Sequence, residues 1–155
     1  MAESATRPTV SYKILTFEEY NGIKDMIPII AESSSISTKW NGTALDLNDG
    51  FIHLSTQAQA LPTVDRFFST LSQVILLEVN LVQLSGDSLR WELAPSVQKG
   101  CMDAGMGVKD ATIAATFPHI HGGLDLKAVV RVLVVERQMG KDGLHETWKS
   151  VWPLH

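Results

Sequence analysis

The chain has 155 residues, with 13 Lys and Arg against 17 Asp and Glu, which gives a formal net charge of −4. Its length fits one domain, and 45% apolar against 19% charged residues is the balance of a folded protein. The negative charge excludes, as a global feature, the basic surface with which proteins bind nucleic acid. The single cysteine, Cys101, cannot form an intramolecular disulfide, which favours a reducing compartment.

The N-terminal residues show no apolar segment behind a charged one, so the sequence predicts no secretory signal and a cytoplasmic protein. The most apolar stretches, residues 74–79 and 128–135, are far shorter than a membrane span, and each contains a charge. We therefore expect no contact with a membrane. We expect flexible residues 1–9 followed by a single domain over residues 10–155.

The first elements in the chain are predicted to be a strand and a helix. Residues 10–15 alternate as a strand does, and Thr16 before two glutamates is typical of a helix N-cap. The helix should end before Pro28. Residues 31–50 are polar, rich in hydroxyl groups and contain glycine, so we predict a long loop of the kind that often has a function.

Residues 50–55 are a short strand candidate that leads directly into a helix, because Thr56 and Gln59 have capping-box spacing. Apolar residues recur at helical spacing after it, and Pro62 marks either the start of the regular helix or a kink. Residues 74–79 are apolar enough for a buried central strand, and residues 89–93 alternate large apolar with charged side chains.

The C-terminal half is predicted to consist mostly of strands. Residues 117–123 lead into residues 128–137, the longest strand candidate, and residues 147–152 are a candidate edge strand. Residues 95–115 are rich in glycine and small side chains. Because helices come early and strands late, the sequence favours a compact α+β domain with a largely antiparallel sheet over a doubly wound α/β fold.

Polar side chains fall on shared faces of these strands. Alternation places His53 with Ser55 on one strand face, and Arg90 with Glu92 on another. For each pair alone, a structural role is the default: Arg90 and Glu92 as a solvated ion pair, and Ser55 as a helix cap. Since no Gly-x-Ser-x-Gly elbow surrounds Ser55, a Ser-His-Asp hydrolase is disfavoured.

An extended segment at residues 117–121 would also place His119 and His121 on one face. With His53 or Glu92 as a third ligand, these histidines form an alternative Zn²⁺ or Fe²⁺ site, against which stands the simpler interpretation of hydrogen-bonded loop residues. We predict no metal site. Trp40, in the predicted loop, is a candidate residue for lining a pocket.

Three separated blocks of the chain resemble, in order, the DUF952 family of small uncharacterised proteins. The blocks are DGFIHLST at 49–56, LRWE at 89–92 and FPHIHG at 117–122. The resemblance extends from about residue 12 to about residue 135. The family looks like a divergent branch of the ADP-ribosyltransferase-like fold, which implies a twisted, split, largely antiparallel sheet around a cleft for NAD⁺.

The resemblance implies that His53 contacts ribose hydroxyls and that Glu92 or His119 stabilises the transition state of an ADP-ribosyl or phosphoribosyl transfer, while Arg90 serves the phosphates. The chain departs from the family at His121, where Tyr is usual, so a stacking aromatic is lost. Residues 95–115 are also longer than in most relatives. No glycine-rich phosphate loop is visible, so the expectation that NAD⁺ is a cofactor comes from the resemblance alone.

Two other functions would use the same residues without NAD⁺. Imidazoles exchange protons near neutral pH, so the histidines with an arginine that holds a carboxylate or enolate would suit an isomerase, cyclase, lyase or hydrolase. A module that binds an anionic small molecule or nucleotide without catalysis is the third hypothesis. The candidate catalytic residues are His53, Glu92 and His119, and the candidate substrate contacts are Ser55, Arg90, His121 and Trp40.

Overall fold

The computed structural model describes residues 8–28, 39–84, 88–93, 116–139 and 146–147. The helices are α1 (Phe17–Ile23), α2 (Ala44–Asp49) and α3 (Gln57–Phe67), with single 3-10 turns at Lys24–Met26, Leu81–Gln83 and Leu126–Ala128. The strands are β1 (Val10–Leu15), β2 (Lys39–Trp40), β3 (Ile52–His53), β4 (Gln73–Asn80), β5 (Leu89–Leu93), β6 (Thr116–Ile120), β7 (Leu124–Asp125), β8 (Val129–Glu136), β9 (Gln138–Met139) and β10 (Glu146–Thr147). Residues 1–7 of the expected flexible N-terminus and the segment 95–115 lie outside the described residues.

Most strands belong to two three-stranded sheets. In the first sheet β4 lies between β1 and β8, and in the second β6 lies between β3 and β5. Two short pairs, β2 with β7 and β9 with β10, are also present, and every described strand pair is antiparallel. The expected α+β class with an antiparallel sheet is confirmed.

A backbone bridge joins the two sheets beyond the end of β3. The N–H of Tyr12 donates to the carbonyl of Ser55 at 2.7 Å, and the N–H of Ser55 donates to the carbonyl of Tyr12 at 2.8 Å. One residue later Thr56 begins the cap of α3. The bridge therefore fixes β1 of the first sheet against the chain that links β3 to α3.

Capping boxes begin all three described helices. Those at Thr16 and Thr56 confirm the predicted helix starts. Helix α1 ends at Ile23 and its 3-10 extension ends at Met26, before Pro28 as predicted. Helix α3 runs without interruption from Gln57 through Pro62, so it begins at its cap rather than at the proline.

The prediction of a loop over residues 31–50 is wrong for residues 39–40 and 44–49, while residues 31–38 lie outside the described residues. Thr43 and Asp46 cap α2 reciprocally: the Thr43 N–H donates to Asp46 Oδ2 at 2.9 Å, and the Asp46 N–H donates to Thr43 Oγ1 at 3.3 Å. Gly50 ends the helix in the left-handed conformation with φ of 86°. These local signals outweigh the polar composition of the segment.

The core has two parts, one on each face of the first sheet. On one face α3 covers a small cluster that includes Val64, Val74 and Leu76. On the other face a larger cluster joins the first sheet to the second, through residues such as Ile75 and Ile120. The apolar side chains of β4 are fully buried, as predicted for a central strand. Among the described residues, no helix has the length and apolar character needed to cross a membrane.

Candidate functional site

The second sheet gathers the polar side chains that the sequence placed on its three strands. His119 of β6 is the direct neighbour of His53 on β3 and of Arg90 on β5. Directly opposed residues of antiparallel strands project to the same face, and so do residues two positions along. Glu92 and His121 therefore lie on this face as well.

The ring of Phe51 lies among the three imidazoles. It stacks on His119 with centroids 4.1 Å apart and planes at 24°, and its centroid lies 4.6 Å from that of His53 and 5.3 Å from that of His121. The centroids of His53 and His119 are 5.5 Å apart. Phe51 thus contacts all three histidines within one small surface, which we call the histidine cluster (Phe51, His53, His119 and His121).

Glu92 binds two members of this cluster through one oxygen. Its Oε1 lies 3.0 Å from His119 Nδ1 and 2.7 Å from His121 Nε2. Burial opposes ionisation of Glu92, but the hydrogen bonds from His121 and His119 outweigh it and lower the pKa of this carboxyl. An ionised carboxylate only accepts hydrogen bonds, so each imidazole donates to it. When neutral, His119 has its lone pair on Nε2 and His121 on Nδ1.

The two imidazoles bound to Glu92 differ in access to solvent. The side chain of His119 is only 3% exposed, beneath Phe51, whereas that of His121 is 26% exposed. Burial lowers the pKa of His119, and the hydrogen bond to Glu92 only partly offsets this effect. His119 is therefore a buried, neutral imidazole, and His121 is the accessible one.

His53 lies between two aspartates of α2. Its Nδ1 is 2.6 Å from Oδ1 of Asp46, and its Nε2 is 2.9 Å from Oδ2 of Asp49. The backbone N–H of His53 also donates to Asp46 Oδ1 at 3.1 Å. The short helix α2 thus holds the imidazole from both of its nitrogens.

Asp46 is itself bound by a lysine from the first sheet. Lys13 Nζ lies 2.9 Å from Oδ1 and 2.7 Å from Oδ2 of Asp46, and it donates to the carbonyl of His53 at 3.1 Å. Burial would raise the pKa of Asp46, but His53 and Lys13 outweigh it and hold that pKa well below its usual range. Burial lowers the pKa of Lys13, and Asp46 partly offsets this. The result is a buried ion pair that supports His53.

The remaining predicted residues lie in different surroundings. Arg90 is exposed on the face of the histidine cluster. Ser55 is buried, and its described contacts are the backbone bonds to Tyr12. Trp40 is half-buried, pairs with Leu124 and packs against the larger core cluster. The structure therefore brings together His53, Glu92, His119 and His121, but it shows no described contact between this group and either Ser55 or Trp40.

Sequence reasoning missed four residues of the site: Lys13, Asp46, Asp49 and Phe51. Two of them left a signal in the sequence. Phe51 has the same strand parity as His53, and Thr43 with Asp46 has capping-box spacing. The pairing of Lys13 with Asp46 spans 33 residues and left none. In the part of the chain that the structure describes, no group of three or more His, Cys, Asp or Glu side chains is arranged to hold a metal ion.

Comparison with known proteins identifies a family and a solved structure. The family model described as a protein of unknown function, DUF952, matches residues 30–132. The X-ray structure of protein CC0527 from Caulobacter crescentus is 29% identical and has a TM-score of 0.57, with 87% of this chain and 91% of that chain covered. The solution NMR structure of CC0527 also gives 29% identity and a TM-score of 0.57, with 88% and 90% covered. No curated protein matches this chain.

Proposed function

Because this chain belongs to the DUF952 family, whose description names no activity, we propose a function from the site itself. The histidine cluster is the active site of a cofactor-independent acid–base enzyme that acts on a small molecule with a carbonyl or an anionic oxygen. The observation that supports this most directly is the pair of accessible imidazoles, His53 and His121, which both contact Phe51 and are each bound to a carboxylate.

The two imidazoles differ in what they offer a substrate. His121 donates through Nε2 to Glu92, so its Nδ1 is the nitrogen that accepts a proton. His53 faces a carboxylate at each nitrogen, and only a protonated ring has an N–H for both. His121 is therefore the general base and His53 the general acid. A proton leaves the substrate at His121 Nδ1, and another is delivered from His53 Nε2.

Two further residues complete this proposal. Buried His119 contacts Glu92 and Phe51, so it acts on the reaction by positioning them rather than by touching the substrate. Arg90 is exposed on the same sheet face, where a guanidinium can bind a carboxylate or enolate. Removal of one proton next to a carbonyl and delivery of another is the step that isomerases, cyclases and lyases share.

The experiment exploits the proton transfer itself. The protein is incubated in D₂O with simple 2-oxo acids and hydroxy ketones, and ¹H NMR follows the loss of the proton next to the carbonyl. We expect exchange that falls by about 10²-fold or more in His53→Gln and in His121→Gln. Glu78→Gln is the matched control, because Glu78 is bound to Arg131 on another strand of the first sheet. Exchange retained in both histidine variants, or a compound bound without exchange, contradicts the proposal, and the second outcome favours the binding module.

The transferase that the family resemblance implies is the second candidate. It is favoured by the presence of His53 and Glu92 on one sheet face, with only one oxygen of Glu92 used by the histidines. The other oxygen would stabilise the positive charge that develops on ribose as nicotinamide leaves. Release of nicotinamide from NAD⁺, abolished by Glu92→Gln, would support this candidate. If millimolar NAD⁺ neither releases nicotinamide nor changes the melting temperature of the protein, this candidate is wrong.

A further inference from the structure

The two carboxylates on His53 are unlike each other. Asp46 lies 2.6 Å from Nδ1 and its side chain is fully buried, whereas Asp49 lies 2.9 Å from Nε2 and its side chain is 26% exposed. A neutral imidazole has one N–H, so the two carboxylates compete for a single proton. The carboxylate that holds this proton determines which ring nitrogen is left to take up, and then deliver, the proton that His53 transfers as the general acid.

The contacts of Asp46 favour it in this competition. Lys13 binds both of its oxygens, and the backbone N–H groups of Thr43 and His53 donate to it, so its position is fixed from three sides. A hydrogen bond in a buried, low-dielectric environment is stronger than one near water. Asp49, at the exposed end of α2, exchanges its bond to His53 with water far more easily.

Resting on the acid–base function proposed above, we propose that Asp46, held by Lys13, is the positioning residue that keeps the neutral His53 proton on Nδ1 and leaves Nε2 to exchange protons with the substrate. Asp49 then occupies the place of a substrate oxygen, which displaces it on binding. An orienting carboxylate of this kind fixes the tautomer of its histidine. Its replacement by an amide keeps the shape but puts the proton on the other nitrogen.

The test compares the two aspartates on the same ring. ¹⁵N NMR of protein labelled at histidine, at a pH where His53 is neutral, reports which nitrogen has the proton. We expect the His53 proton on Nδ1 in the wild-type protein and in Asp49→Asn, and on Nε2 in Asp46→Asn. A merely structural Asp46 would lower stability without moving the proton. With a substrate identified, Asp46→Asn should reduce kcat by about 10²-fold with KM changed by no more than about threefold.

Asp46→Asn leaves Lys13 buried without its counter-charge, so Lys13→Met/Asp46→Asn serves as a second variant without either charge. The wild-type measurement alone is decisive if both variants fail to fold, since a proton on Nε2 in the wild-type protein overturns the proposal. An unchanged tautomer in a folded Asp46→Asn or double variant also overturns it. Failure of the proposed function is a separate result: turnover that survives His53→Gln removes the acid–base role and leaves the tautomer measurement valid.

Discussion

Lys13→Met is expected to destabilise the protein far more than an ordinary surface substitution. The side chains of Lys13 and Asp46 are 5% and 0% exposed, so the substitution leaves a carboxylate buried without its cation. Breaking a buried ion pair from one side costs about 3–5 kcal/mol. At about 2–4 °C per kcal/mol for a chain of this size, the melting temperature should fall on the order of 10 °C.

Urea unfolding of the wild-type protein, Lys13→Met, Asp46→Asn and the double variant closes a thermodynamic cycle for this pair. The double variant has neither charge, so its loss of stability should be smaller than the sum of the two single losses, by about 0.5–3 kcal/mol. Additive losses, or a loss below about 1 kcal/mol in Lys13→Met, would refute the reasoning, since values this small are typical of solvated pairs.

The same pair makes a prediction for pH. The folded state lowers the pKa of Asp46, so the stabilisation is complete above the ordinary carboxyl pKa of about 4 and is lost as pH falls toward the folded value. Lys13→Met should therefore lose less stability than the wild-type protein on transfer from pH 5 to pH 3. An equal loss in both proteins would mean that other carboxyls dominate the acid response.

Two further predictions concern other parts of the fold. Gly42 has φ of +103°, and a Cβ added there would lie 2.5 Å from Asp46 Cβ, whereas nothing lies within 4 Å of a Cβ added at Gly50. Gly50→Ala should therefore lose only the about 1–2 kcal/mol of stability that left-handed strain costs, and Gly42→Ala should lose more. Urea unfolding of the two variants compares these losses. Burial and the neighbouring Glu78 raise the pKa of Tyr12 to about 12. The folded protein therefore keeps the phenolic proton at a pH where the unfolded chain loses it, and the stability should fall between about pH 10 and 12. In Tyr12→Phe the melting temperature should fall less steeply across that range, as measured by thermal unfolding.

The elements that the sequence predicts correctly are those with local causes. Residues 74–79 form a central strand because their side chains are apolar on both faces, and α3 begins at Thr56 because its cap is encoded within four residues. At α2 the polar composition of residues 31–50 predicts a loop, although Thr43 and Asp46 have the same cap spacing and the structure forms a helix there. The reciprocal cap, rather than the polar composition, therefore determines the secondary structure of this segment.

The site was predictable to the extent that strand parity determines it. Alternation alone placed His119 beside His121 and put Glu92 on a face of its strand, but the register that sets them against each other depends on β5 and β6 pairing across residues distant in sequence. The ion pair of Lys13 with Asp46 joins β1 to α2 across 33 residues, and a single lysine in an apolar strand does not reveal its partner.

Strand β1 links the stability of the fold to the chemistry of the site. Successive side chains of this strand alternate between the cluster beneath α3, which Tyr12 joins, and the opposite face, where Lys13 reaches Asp46. A shift of β1 by one residue would exchange these faces and leave the carboxylate behind His53 without its cation. The register of β1 is also fixed by six paired residues with β4 and by the bridge to Ser55. The geometry of His53 is therefore maintained by the first sheet, although the imidazole itself belongs to the second.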